Sequence, residues 1–413
     1  MNKSALYFAL GVIFFANFLS YLDRQIIGAL EVEIRHHFSI SQSEFGIVGS
    51  AFTVGYMVFA PIVGFLIARR SRPHVFALCV LIWSIATIAS GYAPNLGTLI
   101  ATRFFIGIGE AGCLVIGPTL ISDYFPKEVR GKALSVFFLA LPLGGTAGYI
   151  VGGLLSKAVG WQQAFFFAGV PGFLVAALIW RLVDPPRGGE GADSHQAPVK
   201  GIKPYFDLLK NRTLFLIILA QAFAVMFLQP LLLFGVGFFQ EERQFTKNQA
   251  TVTLGLIALV AGGLGNMLSG VLGDRLARKT KGAYALLAGI AFTLGLPFLL
   301  VGFSVPSPHL VIYLGLGLGA FCYFLCMPAV NTQIANSVAP QQRAMAYALA
   351  VFILHFLGDT GAPYVFGKVS DSIGSKQQSF VIFSFSLLLA GACCFFASRT
   401  AGKDEAKLVQ TPS

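Results

Sequence analysis

Gly270-Val-Leu-Gly-Asp274-Arg275-Leu-Ala-Arg278-Lys279 joins the end of one long apolar run to the start of the next. A matching stretch lies in the first half of the chain, Gly64-Phe-Leu-Ile-Ala68-Arg69-Arg70-Ser-Arg72. A second pair repeats in the same order: Pro126-Lys-Glu-Val-Arg130-Gly131 and Pro340-Gln-Gln-Arg343-Ala344. Downstream, Gly145 and Gly148 correspond to Gly358 and Gly361, at the offset of about 213 residues that separates Arg130 from Arg343. Loops and glycines repeated in the same order mean two similar halves.

Each half is built from apolar segments. Of 413 residues, 56% are hydrophobic and 11% charged, against about 25% charged in soluble domains. So much apolar surface needs lipid around it. Twelve segments are expected, near 7–30, 44–68, 73–92, 97–122, 132–156, 163–183, 213–239, 250–273, 282–303, 309–336, 343–369 and 379–398. Each approaches or exceeds the roughly 20 residues of a crossing helix. The first is too long for a cleaved leader, carries Asp-Arg, and is read as a span. The longest polar stretch, Asp184 to Arg212, has linker composition and separates two groups of six. Its end, Pro204 to Lys210, suits a short interfacial helix. The division is therefore a six-helix bundle over 1–184, a linker over 185–211, a second bundle over 212–400 and a tail over 401–413.

The net charge of +11 follows from topology. Assigning loops to alternate sides puts about 21 Lys and Arg on one face and about 6 on the other. The basic face is cytoplasmic by the positive-inside rule, with both termini on it. No nucleic-acid partner is needed. The six Cys all fall in apolar runs and are read as small buried hydrophobes, with no metal and no disulfide framework. Glu31, Glu33, Arg35, His36 and His37 are read as a solvated outer loop.

Two charge pairs lie inside apolar runs: Asp23-Arg24 in the first and Arg103 with Glu110 in the fourth. A charge at the bilayer centre costs at least ~2.5 kcal/mol, so such groups face a bundle interior or a water path and act there. Arg103 and Glu110, seven apart, share a helix face, about 10 Å apart along the axis. Gly107 lies between them and is expected to leave open space beside the helix. The natural arrangement sets the first helix against the fourth in one polar pocket. Burial there favours a neutral carboxyl and a nearby Arg favours an ionised one, the condition for proton coupling. Glu110 is preferred to Asp23 as proton acceptor, because Asp23 has Arg24 beside it. Arg24 and Arg103 suit an anion, since a guanidinium binds phosphate or carboxylate with two donors. In the second half, His355 and Asp359 are i, i+4 and form either a packing pair or a secondary proton relay.

The Gly-x-x-x-Asp-Arg-x-x-Arg-Lys loop, the twelve segments, the long central loop and the intramembrane Arg resemble the major facilitator superfamily over essentially the whole chain. Within it, Tyr-Leu-Asp23-Arg24, Arg103-Phe-Phe-Ile-Gly107-Ile-Gly109-Glu110-Ala111, Asp123-Tyr-Phe-Pro, Pro142-Leu-Gly144 and Gly148-Tyr149 resemble the Spinster family, in a bacterial member. Organic anion:proton symporters share part of this pattern. The resemblance implies an all-α membrane protein, twelve transmembrane helices in two six-helix bundles related by pseudo-two-fold symmetry. It also implies Tyr149 as a substrate residue. A cytoplasmic latch is implied at Arg69, Arg130, Asp274, Arg275 and Arg343. Ala68 stands where the superfamily has its first Asp, which shifts that latch toward Asp274-Arg275.

The reading is an inner-membrane secondary carrier, monomeric, without cofactor, working by alternating access. Its expected cargo is an amphiphilic anion such as a lysophospholipid or sphingoid phosphate, coupled to protons. The main alternative is a proton-coupled symporter of small soluble organic anions such as sugar acids. A membrane-embedded lipid-modifying enzyme is remote, since no nucleophile–base or two-His metal pattern appears. No Gly-x-x-x-x-Gly-Lys-Ser/Thr loop is present to bind a nucleotide.

Overall fold

The structure, a computed structural model, describes residues 3–186, 203–305, 309–339 and 342–410. Most of the expected linker, 187–202, and Pro340 of the second repeat lie outside the described residues. Among those described there are twelve helical spans long and apolar enough to cross a bilayer. The helices are α1 (Lys3–Ala29), α2 (Glu31–Phe38), α3 (Gln42–Arg69), α4 (Arg72–Gly91), α5 (Leu96–Tyr124), α6 (Lys127–Val159) and α7 (Trp161–Trp180). They continue as α8 (Lys203–Leu208), α9 (Arg212–Arg243), α10 (Lys247–Ala277), α11 (Ala283–Ser304), α12 (His309–Asn336) and α13 (Arg343–Ile353). Last come α14 (Ala362–Ile373), α15 (Lys376–Ser384) and α16 (Ser386–Gln410). The short helix expected near Pro204 is α8. Beside it Lys210 bonds Asp207 at 2.6 Å and holds that carboxyl below its usual range.

Local signals explain the helix starts. Ser41 and Glu44 form a reciprocal capping box at α3, and Asn95 accepts from the Thr98 amide at α5. Pro73 sits in the first turn of α4, where its missing N–H costs nothing.

Two departures from the sequence reading matter. The charged stretch after α1 is no solvated loop: it forms α2, with Glu31 fully buried. Glu31 accepts from Arg35 one turn on, which makes its burial tolerable. The eleventh span is interrupted. α13 passes into a π turn over Leu354–Asp359, and α14 resumes at Ala362. Pro363 has no N–H to give the Asp359 carbonyl, which leaves the helix ladder one bond short beside the π turn.

The chain divides into two compact units, Met1–His195 with Leu232–Gly255, and Gln196–Leu231 with Leu256–Ser413. Thus the facing ends of α9 and α10 group with the first helices. In the first unit α1 packs on α6 and α7, α3 on α5, and α4 on α5 and α7. Ile13, Phe76, Trp83, Ile116 and Phe137 form its buried centre. Lipid tails are as apolar as that centre, so close packing and buried polar contacts hold the helices together. Gly107 supplies the packing on α5. A Cβ there would stand 2.8 Å from the Tyr56 amide of α3. The open space expected beside Gly107 is therefore occupied by backbone. In the second unit α11 packs on α12 and α16, with Gly302 and Gly315 in backbone contact.

Candidate functional site

The intramembrane charges converge inside the first unit. α1 contributes Ser20, Tyr21, Asp23 and Arg24; α3, Phe52 and Tyr56; α4, Thr87; α5, Arg103 and Glu110. Arg24 Nε donates to Glu110 Oε2 at 2.6 Å, and Ser20 Oγ donates to the same oxygen at 2.9 Å. Asp23, 100° around the helix from Arg24, turns to α4 and accepts from the Thr87 hydroxyl at 3.1 Å. The sequence argument that Arg24 attends Asp23 because it is adjacent is thus corrected: the carboxylate Arg24 meets is Glu110. Adjacent residues on a helix point apart, whereas the α1–α5 crossing brings Arg24 and Glu110 together.

Burial makes this expensive chemistry. Glu110 is fully buried, Asp23 is 1% exposed and Arg103 2%. Arg24 keeps a little exposure and is held in a ring of aromatic faces. Its guanidinium carbon lies 4.9 Å from the Tyr56 ring centre, 5.0 Å from Tyr21 and 5.1 Å from Phe52. Phe52 also faces the Arg103 guanidinium, at 5.4 Å. Each such face is worth roughly 0.5–2 kcal/mol to a cation.

Formal charges cancel within the group, two carboxyls against two guanidiniums, yet hydrogen bonding is incomplete. Arg103 Nε and Nη1 and Arg24 Nη2 are buried donors without an acceptor. Asp23 Oδ1 and Glu110 Oε1 are buried acceptors without a donor. Native interiors seldom leave such groups bare, so they mark a place for water, ligand or proton.

The other sequence candidates lie elsewhere. Tyr149 on α6 is buried and donates its hydroxyl to the Leu232 carbonyl at 2.6 Å. In the second unit, His355 Nδ1 lies 2.9 Å from Asp359 Oδ2, and Gln229 Nε2 donates to the same oxygen at 3.0 Å. This cluster stands on the π turn, an irregularity often found at functional sites.

At the basic loops, Arg69 lies over the Phe65 ring and Arg130 donates to the Phe125 carbonyl. Asp274 accepts from Tyr284, Arg275 is exposed, and Arg343 donates to the Ala335 carbonyl. A residue missed from sequence does more here. Arg72 is 4% exposed and pairs with Asp123 and with Asp184, the latter at 2.8 Å. It also donates to the Pro185 carbonyl at 2.7 Å. One guanidinium so ties the start of α4 to the end of α5 and to the segment after α7. The signal was available: an Arg directly before Pro73, with acids at the ends of two later spans.

The family model described as Major Facilitator Superfamily matches residues 13–363. Protein spinster of Drosophila melanogaster is 31% identical over 89% of the chain, which spans 62% of that protein's length. Sphingosine-1-phosphate transporter SPNS2 of Xenopus tropicalis is 31% identical over 91% of the chain and 75% of its own. Among solved structures, a bacterial homolog to the human lysosomal transporter Spinster, inward-facing and unoccupied, superposes with a TM-score of 0.87. It is 22% identical, with 98% of this chain and 99% of that one covered.

Proposed function

The chain belongs to the Major Facilitator Superfamily as a transporter of Spinster type, and from that premise we propose that it carries an amphiphilic anion by alternating access, coupled to protons. The cargo is of lysophospholipid or sphingoid phosphate type. The observation that carries this is the pair of orphan donors on Arg103, 2% exposed and facing Phe52. A buried guanidinium without an acceptor is suited to an anionic head group, which it would hold by charge-assisted hydrogen bonds.

Protons enter through the two carboxyls. Glu110 and Asp23 each retain one oxygen without a partner, so each has a position for a proton. Protonation of Glu110 releases Arg24, whose guanidinium then joins Arg103 on the head group. Anion loss reverses the exchange. His355, with Asp359 and Gln229, is the secondary relay. The carrier works as a monomer in a cell inner membrane with both termini cytoplasmic. A protein named for sphingosine-1-phosphate transport among its relatives agrees with this cargo class.

Proteoliposomes loaded by a pH gradient test the reading. Labelled lysophospholipid and sphingoid phosphate are expected to be taken up, and uptake to fall when the gradient is collapsed. Uptake of a sugar acid with neither lipid moved would overturn the cargo. Lipid uptake indifferent to the gradient would remove the proton.

A further inference from the structure

The two buried guanidiniums of the first unit are not alike. Arg24 has a carboxylate partner, Glu110, at 2.6 Å. Asp23, the other carboxyl, takes the Thr87 hydroxyl. Arg103 lies within electrostatic reach of both carboxyls, but among the described residues it forms no ion pair. It is 2% exposed, and its Nε and Nη1 are buried donors without an acceptor. Arg24 adds a third such donor, Nη2. Both guanidinium carbons lie near the one Phe52 ring, at 5.1 and 5.4 Å from its centre. Two like charges thus share one ring, and only one of them is paired.

The protonation state decides what suits these donors. With both carboxyls ionised the group is neutral, and water can satisfy a bare N–H. A proton on Asp23 or Glu110 leaves one excess positive charge in the interior of the bundle. An uncompensated buried charge is costly, and one monovalent anion cancels it. Neighbouring side chains do not supply that anion. Tyr21 of α1, Tyr56 of α3, Cys79 of α4 and Cys113 of α5 face the group, and phenols and thiols are neutral near pH 7 and below. On α6 the buried Tyr149 gives its hydroxyl to the Leu232 carbonyl. α7 has no titratable side chain within Trp161–Trp180. Chloride has the right charge, and as a sphere it accepts N–H donors from any direction.

We propose that Arg103 is a chloride site in the cargo-free carrier: chloride binds there as the carboxyl pair takes up a proton, and the anionic head group displaces it. The site rests on the anion reading of Arg103 and adds to it a second, inorganic ligand. Proton and chloride then strengthen each other's binding by the same factor in both directions. Chloride and cargo compete, so the apparent dissociation constant of the cargo rises with chloride. The guanidinium is neutralised through the part of the cycle in which no cargo is bound.

The full-length protein in detergent tests this, with chloride exchanged for gluconate at constant ionic strength and melting followed by Trp fluorescence. Chloride is expected to raise the melting midpoint by about 1–3 °C, and by more at acid than at alkaline pH. Arg103→Gln is expected to abolish the difference. In the wild type, half-saturation by a phosphate-headed amphiphile is expected to need about three- to tenfold more ligand in chloride than in gluconate. Should Arg103→Gln fail to fold, that competition decides, together with crystals grown in bromide, where an anomalous peak is expected at hydrogen-bond distance from Arg103. Equal midpoints in the two salts, a chloride shift that survives Arg103→Gln, or no bromide peak at Arg103 would overturn the site. Amphiphile binding indifferent to chloride overturns the displacement and leaves the head-group reading standing. Chloride stabilisation without amphiphile binding removes the head group and keeps the chloride.

Discussion

Changing Glu110 to Gln keeps the side chain's shape and removes its charge. In the native protein Glu110 Oε2 takes the Arg24 Nε–H at 2.6 Å and the Ser20 hydroxyl at 2.9 Å, with Glu110 wholly buried. The amide retains one acceptor but leaves the group with one excess positive charge. Removing one partner of a buried pair costs about 3–5 kcal/mol. Arg24 is 18% exposed at its side chain, so partial hydration brings the expectation to about 2–3 kcal/mol. Arg24→Met should cost somewhat less, because a stranded Glu110 can take up a proton and become neutral. The double variant loses both charges together, so its cost falls short of the sum by about 2 kcal/mol. Unfolding in mixed micelles titrated with a denaturing detergent, monitored by Trp fluorescence, measures all three. Additivity within about 0.5 kcal/mol would refute the pair as an energetic unit, and with it the exchange of Arg24 between carboxylate and anion.

Further expectations are independent of that cycle. Arg103→Gln should weaken binding of a phosphate-headed amphiphile by roughly 10–100-fold, the worth of hydrogen bonds to a charged group; unchanged affinity in a detergent-based binding assay removes Arg103 from the head-group site. Arg72→Lys keeps the charge but cannot span Asp123, Asp184 and the Pro185 carbonyl together, and should lower stability by about 2 kcal/mol in the same titration. Gly107→Val drives a branched side chain into the α3 backbone and should abolish folding by size-exclusion profile, while Gly64→Ala, with open space around it, should be silent. His355→Gln keeps a polar side chain beside Asp359 but cannot relay a proton, and should lower proton-driven uptake; unaltered proton-driven uptake means the His355–Asp359 contact is packing alone.

Hydropathy and repeats made the twelve spans legible, because a bilayer imposes length and apolarity on each crossing independently. The pocket between the first and fourth spans was legible for a related reason: few places can hold Asp23, Arg24, Arg103 and Glu110 out of lipid. Which carboxylate meets which guanidinium was not, since it depends on helix rotation and on where α1 crosses α5. Gly107 was misread because a missing side chain looks the same in sequence whether it frees space or admits a neighbouring backbone. α2 escaped because its charges satisfy one another and Lys247, which no local pattern announces. The interruption at Leu354–Asp359 was signalled only by Gly358, Gly361 and Pro363, and Pro is common within intact spans here, as at Pro61, Pro118 and Pro142.

The aromatic faces around Arg24 carry a consequence for affinity. Tyr21, Phe52, Tyr56 and the Glu110 carboxylate together form a cation receptor whose occupant is the protein's own side chain. Under the proposed anion binding, Arg24 is a tethered competitor: an anion that draws on it first bears the work of emptying that receptor. The apparent dissociation constant exceeds the intrinsic one by the reciprocal of the fraction of time the guanidinium is free. If freeing it costs about 2.8 kcal/mol, binding is weakened roughly a hundredfold. A carrier gains from this, because a cargo held too firmly is never let go. Removing the rings one at a time should tighten capture while slowing delivery.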